Sequence, residues 1–124
     1  MKVTQLYFED TTFGKTISSW AESIGIETIK FDSKKEQQLE SIQGLLLFHE
    51  NHDIDRAQQE LLSIFEHSQR GISKIDINGT LSVATSNFSL WLDRNKCKVI
   101  LATGADELTK NPNLERFLEQ LKTA

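Results

Sequence analysis

The chain has 124 residues, of which 38% are hydrophobic and 26% charged, with a formal net charge of −4 and a pI near 5.3. This length predicts a single α/β domain, residues 1–124, whose core needs no metal or disulfide. The acidic balance disfavours a nucleic-acid-binding protein, and no apolar run approaches the ~18 residues of a membrane span. The single cysteine, Cys97, and the lack of a leader-like apolar segment predict a cytoplasmic protein.

The N-terminal quarter of the chain predicts a strand, a helix and a second strand. Residues 3–8 are apolar enough for a strand, and an apolar stripe at helical spacing follows them. The stripe consists of Phe13, Ile17, Trp20, Ala21 and Ile24. Gly25 is a typical helix stop, and residues 26–31 predict a strand whose Glu27 and Lys30 favour an edge of the sheet.

The next segment predicts a short helix followed by the most apolar strand of the chain. Ser33 and Glu36 fit a capping box, and the helix that they begin is poor in core residues. The run Gly44-Leu45-Leu46-Leu47-Phe48 is apolar on both faces, which predicts a central strand covered by helices on both sides. Five polar residues, from His49 to Asp53, follow this strand.

A long amphipathic helix and a fourth strand come next. Asp53 stands where an N-cap belongs, the helix runs toward Gly71, and residues 72–77 predict the strand. The Asn78-Gly79 pair leaves two alternatives open, a β-hairpin or a loop that leads into a helix. We favour a helix over residues 81–94, because its apolar residues have helical spacing and parallel strands need a crossover.

The C-terminal part predicts a fifth strand over residues 97–103 and a last helix that begins at Asn111-Pro112. Strand and helix therefore alternate five times, which predicts a three-layer αβα sandwich with a mainly parallel five-stranded sheet. The apolar third strand belongs in the middle and the second at an edge. That arrangement agrees with the flavodoxin-like strand order 2-1-3-4-5.

Polar side chains follow the predicted strands where their carboxyl ends meet, which is the ligand-binding edge of open α/β sheets. The candidate crevice residues are Asp10, His49, Glu50, Asp76 and Asn78. Carboxylates beside a histidine can raise its pKa or hold it for proton transfer. The alternative is that these polar residues only form loops and cap helices. No His or Cys spacing specifies a metal site, and no cofactor is indicated.

The layout and length resemble the receiver domains of two-component signalling across nearly the whole chain. Glu9-Asp10 matches the acidic pair that follows the first strand in that family, and Thr80 matches the hydroxyl residue after the fourth. His49 or Glu50 stands where the phosphate-accepting aspartate is expected, and Thr103-Gly104 replaces the lysine of the fifth strand. The resemblance therefore implies a receiver-like layout that lacks phosphoacceptor chemistry.

A second resemblance concerns one short segment. Asp76-Ile77-Asn78-Gly79-Thr80 is similar to the D-x-D-G-T motif of the haloacid-dehalogenase-like phosphatases, with Asn78 in place of the second acid. The resemblance implies a nucleophilic role for Asp76. Too few residues follow this segment to build the rest of that family's active site.

Because no catalytic constellation is complete, the sequence predicts a non-enzymatic regulatory or protein-interaction domain that binds a protein partner or itself. The alternative is a small enzyme or ligand-binding protein that uses the acidic and histidine side chains at the sheet edge. The two functions differ in one observable, because a ligand site requires those side chains to converge on a pocket of a few hundred Å³.

Overall fold

A computed structural model describes residues 3–32 and 34–122 of the chain. Strand and helix alternate along it from the first strand to the last helix. The strands are β1 (Gln5–Phe8), β2 (Glu27–Lys30), β3 (Gly44–His49), β4 (Gly71–Asp76) and β5 (Val99–Thr103). The helices are α1 (Thr12–Ser23), α2 (Glu36–Ser41), α3 (Arg56–His67), α4 (Leu81–Asn95) and α5 (Pro112–Lys122), and a 3-10 helix, Asp106–Lys110, precedes α5. None of the helices in the described residues is long and apolar enough to cross a membrane.

The five strands form one parallel sheet in the order β2-β1-β5-β3-β4. The α/β class and the parallel sheet agree with the prediction, and β2 does lie at an edge. The predicted flavodoxin-like order 2-1-3-4-5 is wrong, because β5 is inserted between β1 and β3. Leu101 at the centre of β5 pairs with Tyr7 on one side and with Leu45 on the other.

Helices cover both faces of this sheet, as in a three-layer sandwich. On one face, α1, α4 and α5 pack over a core in which the Phe48 ring lies 5.4 Å from Phe13 and 5.6 Å from Phe117, measured between centroids. On the other face, Phe65 of α3 packs with Leu45 and Leu47 of β3. Every residue of β3 is buried because both faces of this strand are covered, as its unbroken apolar sequence predicts.

The local predictions have mixed outcomes. The segment after Asn78-Gly79 is a helix, α4, so the hairpin alternative is wrong. The predicted N-cap Asp53 is also wrong, because Asp55 precedes α3 and its side chain accepts the Gln58 N–H at 3.2 Å. Helix α2 begins after Lys35, and the predicted capping residue Ser33 lies outside the described residues.

Candidate ligand-binding rim and groove

The carboxyl ends of the strands form a rim whose centre is the end of β5. The Thr103 hydroxyl at that end donates a hydrogen bond to the carboxylate of Glu9, which follows β1. The Gln58 side-chain amide on α3 lies 3.3 Å from the same hydroxyl oxygen and beside the Asp55 carboxylate. Sequence reasoning did not single out Thr103 or Gln58 for this contact, because nothing local indicates that β5 lies next to β1.

The centre of the rim is acidic. Burial raises the pKa of Glu9, the hydrogen bond from Thr103 opposes this effect, and the charges of Asp55 and Asp106 add to it. A carboxyl group that is partly withdrawn from water and surrounded by other carboxylates holds its proton more tightly than usual. The rim centre can therefore accept hydrogen bonds from a ligand, but it repels anions.

The candidate residue His49 is a buried side chain at the end of β3, with 3% of its surface exposed. Its Nδ1 accepts the His52 backbone N–H at 3.1 Å, and the two imidazole rings stack with centroids 5.1 Å apart. Burial lowers the pKa of His49, although the nearby Asp76 carboxylate opposes the shift. His49 thus orders its own loop by accepting a backbone hydrogen bond, and the lowered pKa favours the neutral imidazole.

Asp76 holds two loops of the rim together. Its Oδ1 accepts the backbone N–H of Asn51 at 3.2 Å and that of Asn78 at 3.0 Å. Burial alone would raise the pKa of Asp76, but these hydrogen bonds and the nearby His49 and His52 lower it overall. The segment that resembles the phosphatase motif is therefore a turn, in which the Asp76 carbonyl also accepts the Gly79 N–H at 3.0 Å.

Glu50 and Asn78 are joined through Asn111, the residue before α5. The Asn111 side-chain amide donates to Asn78 Oδ1 at 2.8 Å and to Glu50 Oε1 at 3.3 Å. Asp10 lies apart from them in exposed ion pairs, 3.2 Å from Lys30 and 3.8 Å from Lys15. The structure therefore gathers His49, Glu50, Asp76 and Asn78 at one end of the rim and leaves Asp10 at the other.

One of the gathered candidates lines a cavity. A shallow cavity of about 300 Å³ beside β4 is lined by Asp76 and by residues of α4, but by none of the other four candidates. Within the described residues, no three His, Cys, Asp or Glu side chains are grouped so that they could hold a metal ion. The hydrogen bonds of the cluster are directed mainly at neighbouring loops, which is the geometry of a structural network.

A groove of about 460 Å³ lies between α1 and α5. Trp20, Leu114 and Leu118 contribute its apolar surface, and the Trp20 Nε1–H donates to the Leu118 carbonyl at 3.0 Å, which fixes the indole ring. Lys110 and Asn111 line the end of the groove that adjoins the rim. The apolar stripe of the predicted first helix includes Trp20 as a core residue, and the structure leaves this side chain only half-buried.

The structure defines a three-layer α/β protein with an all-parallel sheet and a groove that starts near the carboxyl ends of its strands. No family model and no curated protein matches the chain. Its fold is similar to the crystal structure of the "Putative molybdenum carrier protein" from Syntrophus aciditrophicus SB, with a TM-score of 0.75. The superposition covers 99% of this chain and 96% of that chain at 12% sequence identity, so the similarity is one of fold.

Proposed function

We propose that the chain is a small-ligand-binding protein whose ligand occupies the groove between α1 and α5. The groove itself carries the proposal, since its volume of about 460 Å³ lies within the range of roughly 300–1,000 Å³ that small-molecule sites have. It also combines apolar surface with a few polar groups, which is the usual composition of such sites.

The lining carries two lysines and two glutamates, Glu115 and Glu119, so a ligand charge has to be matched locally, and the end near Lys110 favours a flat ring with a polar or anionic group. Trp20 and Leu118 offer an apolar surface against which a ring can pack, and the ammonium group of Lys110 stands at the rim end. Lys122 at the other end is 3.1 Å from Glu119 and is neutralised by it. Lys110 is therefore the group that we assign to an anionic substituent.

The side chains at the rim are engaged with one another, which argues against catalysis. Nδ1 of His49 accepts a backbone N–H, and Oδ1 of Asp76 accepts two, so neither atom is free to act on a substrate.

The first function predicted from the sequence, a non-enzymatic regulatory domain, gains no support from the fold similarity. We assign to Glu50 and Asn78 the role of holding Asn111 at the mouth of the groove.

A bare molybdenum oxyanion does not fit the rim. Glu9, Asp55 and Asp106 surround the end of β5, and their negative charges repel molybdate. The name of the Syntrophus protein contributes only the word carrier, which agrees with a protein that binds a small ligand. The molybdenum in that name finds no matching donor set at the rim centre of this chain.

The test is a ligand titration followed by the fluorescence of Trp20. A Trp91→Phe background leaves Trp20 as the single tryptophan. Nucleotides, aromatic carboxylates and molybdate are titrated, and the melting temperature is recorded in parallel because a ligand that binds only the native state must raise it. We expect at least one aromatic anion to change the emission and raise the melting temperature, and molybdate to do neither.

A pair of variants tests whether the ligand binds in the groove. Ser19→Tyr fills the groove from the exposed side of α1, whereas Ser23→Tyr adds the same ring to the same helix outside it. Binding should be lost in the first variant and kept in the second. A panel in which no aromatic anion binds, or binding that survives Ser19→Tyr, would refute the proposal.

A further inference from the structure

We infer that the free edge of β4, together with the exposed face of α4, is an interface at which a second copy of this chain docks about a two-fold axis. This inference goes beyond the proposed ligand site, which lies between α1 and α5. It rests on the length of the edge strand, the charges along it and the apolar side chains next to it.

The two edges of the sheet differ in how well they are protected. β2 has four residues and exposes a charged side chain at each end, Glu27 and Lys30, which discourages pairing. β4 is longer, with six residues, and its two charged side chains, Lys74 and Asp76, have opposite signs. A longer strand with an unpaired side is the natural place for pairing with another strand.

The backbone of β4 has hydrogen-bonding groups directed away from the sheet. The Ile77 N–H donates to the His49 carbonyl at 3.0 Å, so residues in phase with Ile77, such as Ile75, direct their backbone groups toward β3. Ile72 and Lys74 alternate with them and direct their N–H and C=O groups outward. An antiparallel copy of β4 offers matching donors and acceptors to these groups.

The charges of β4 select one register for such a pair. If the two-fold axis passes through Ile75, Lys74 of each copy stands opposite Asp76 of the other, which gives two complementary charge pairs. If the axis passes through Lys74 instead, the two ammonium groups face each other and repel. The Lys74 and Asp76 charges therefore favour the register centred on Ile75 over the register centred on Lys74.

The neighbouring helix adds an apolar surface on the same side of the molecule. Val83 and Leu90 are 54% and 51% exposed, and Asn87 lies between them on the same stripe of α4. Val83 and Asn87 line the cavity of about 300 Å³ that runs along the β4 edge, so this stripe faces the space a second copy would enter. Pairing through β4 would bring the two α4 stripes together and cover them.

The experiment measures the oligomeric state of the whole chain by sedimentation equilibrium from micromolar to millimolar concentration. We expect a concentration-dependent dimer. Val83→Glu and Lys74→Glu should each weaken it by roughly tenfold or more, since one buries a charge in the apolar contact and the other places two acids opposite each other. Lys30→Glu is the matched control for Lys74→Glu, because Lys30 is an exposed lysine of β2, the opposite edge of the sheet.

Hydrogen exchange locates the contact independently of the substitutions. The amides of Ile72 and Lys74 should become more protected as the concentration rises, and those of the β2 edge should not. A chain that stays monomeric throughout the range refutes the inference. So does a dimer that persists in both Val83→Glu and Lys74→Glu while their circular dichroism shows native folding, since the copies then meet elsewhere.

Discussion

The backbone N–H of Phe13 donates a 2.8 Å hydrogen bond to the carboxylate of Asp106, a residue 93 positions later in the chain. Asp106 begins the 3-10 helix that follows β5, and Phe13 lies in the first turn of α1. The start of α1 is therefore capped from two sides, because the Thr11 hydroxyl accepts the next N–H, that of Gly14, at 2.9 Å. A negative carboxylate also interacts favourably with the helix dipole at this end.

Removing this long-range cap should destabilise the fold. We expect Asp106→Ala to lower the free energy of unfolding by about 1–2 kcal/mol, the usual cost of losing a helix N-cap. Urea denaturation followed by circular dichroism measures the change. Glu107→Ala is the control, because this neighbouring carboxylate is exposed, and it should leave the midpoint almost unchanged.

A close approach of α1 to the end of β1 depends on Gly14. A Cβ atom added at Gly14 would lie 1.8 Å from the carbonyl oxygen of Glu9, and a backbone atom cannot move aside as a flexible side chain can. We expect Gly14→Ala to cost roughly 2 kcal/mol or more, as overpacking of a closed contact does. Lys15→Ala at the adjacent exposed position should have little effect. Equal denaturation midpoints for the two variants would contradict the close approach.

His49 provides a prediction with a defined pH dependence. The folded state lowers the pKa of His49, so folding favours the neutral side chain. The resulting contribution to stability is present above the unfolded pKa of about 6.5, and it is lost as the pH falls through the pKa of the folded state. His49→Ala should therefore destabilise the protein by more than ~1 kcal/mol at pH 7 and flatten the stability profile below about pH 6.5. The measurement is denaturant unfolding at a series of pH values. An unchanged profile would show that His49 is solvated.

Glu9 should behave in the opposite way. Its pKa is raised in the folded state, so the protonated form contributes stability that is fully present below the unfolded pKa of about 4.3 and is lost as the pH rises through the folded value. We expect Glu9→Gln, which imitates the protonated carboxyl, to be more stable than the unmodified chain at pH 7. The gain should shrink as the pH approaches 4. Asp10→Asn, at an exposed neighbour, is the control and should show no such trend.

The sequence predicts the elements of this fold well because their signals are local. Helical spacing after Asn78-Gly79 correctly indicates α4, and the unbroken apolar run of β3 indicates a strand that is covered on both faces. The order of the strands is not local. Both β3 and β5 are apolar enough for the centre of the sheet, and only packing decides that β5 lies between β1 and β3.

Two pairs of residues could have indicated the observed order. Ser73 and Lys74 interrupt the apolar pattern of the fourth strand, and polar residues of this kind are typical of an edge. Thr103 and Gly104 end the fifth strand with small side chains, and a Cβ atom at Gly104 would lie 2.8 Å from the Phe13 ring. That close packing against α1 places β5 next to β1.

The sequence predicts where the polar rim lies, but it does not predict which hydrogen bonds its side chains form. Strand ends gather polar residues in any parallel sheet, so His49, Glu50, Asp76 and Asn78 do lie near one another. Their hydrogen-bond partners come from loops and from α5, which the sequence does not bring together. The groove beside Trp20 depends on the distance between two helices far apart in the chain, and no sequence pattern encodes that distance.

The position of β5 has a consequence for how the newly made chain acquires its structure. Of the five described strands, β5 leaves the ribosome last, yet β1 and β3 both have it as a neighbour. Until β5 emerges, the nascent polypeptide can form only two separate strand pairs, β2-β1 and β3-β4. In each pair, the strand that will contact β5 has an unpaired edge. Unpaired strand edges of this kind favour wrong pairing, so the sheet should be completed only once β5 has been synthesised, and the earlier strands should depend on protection until then.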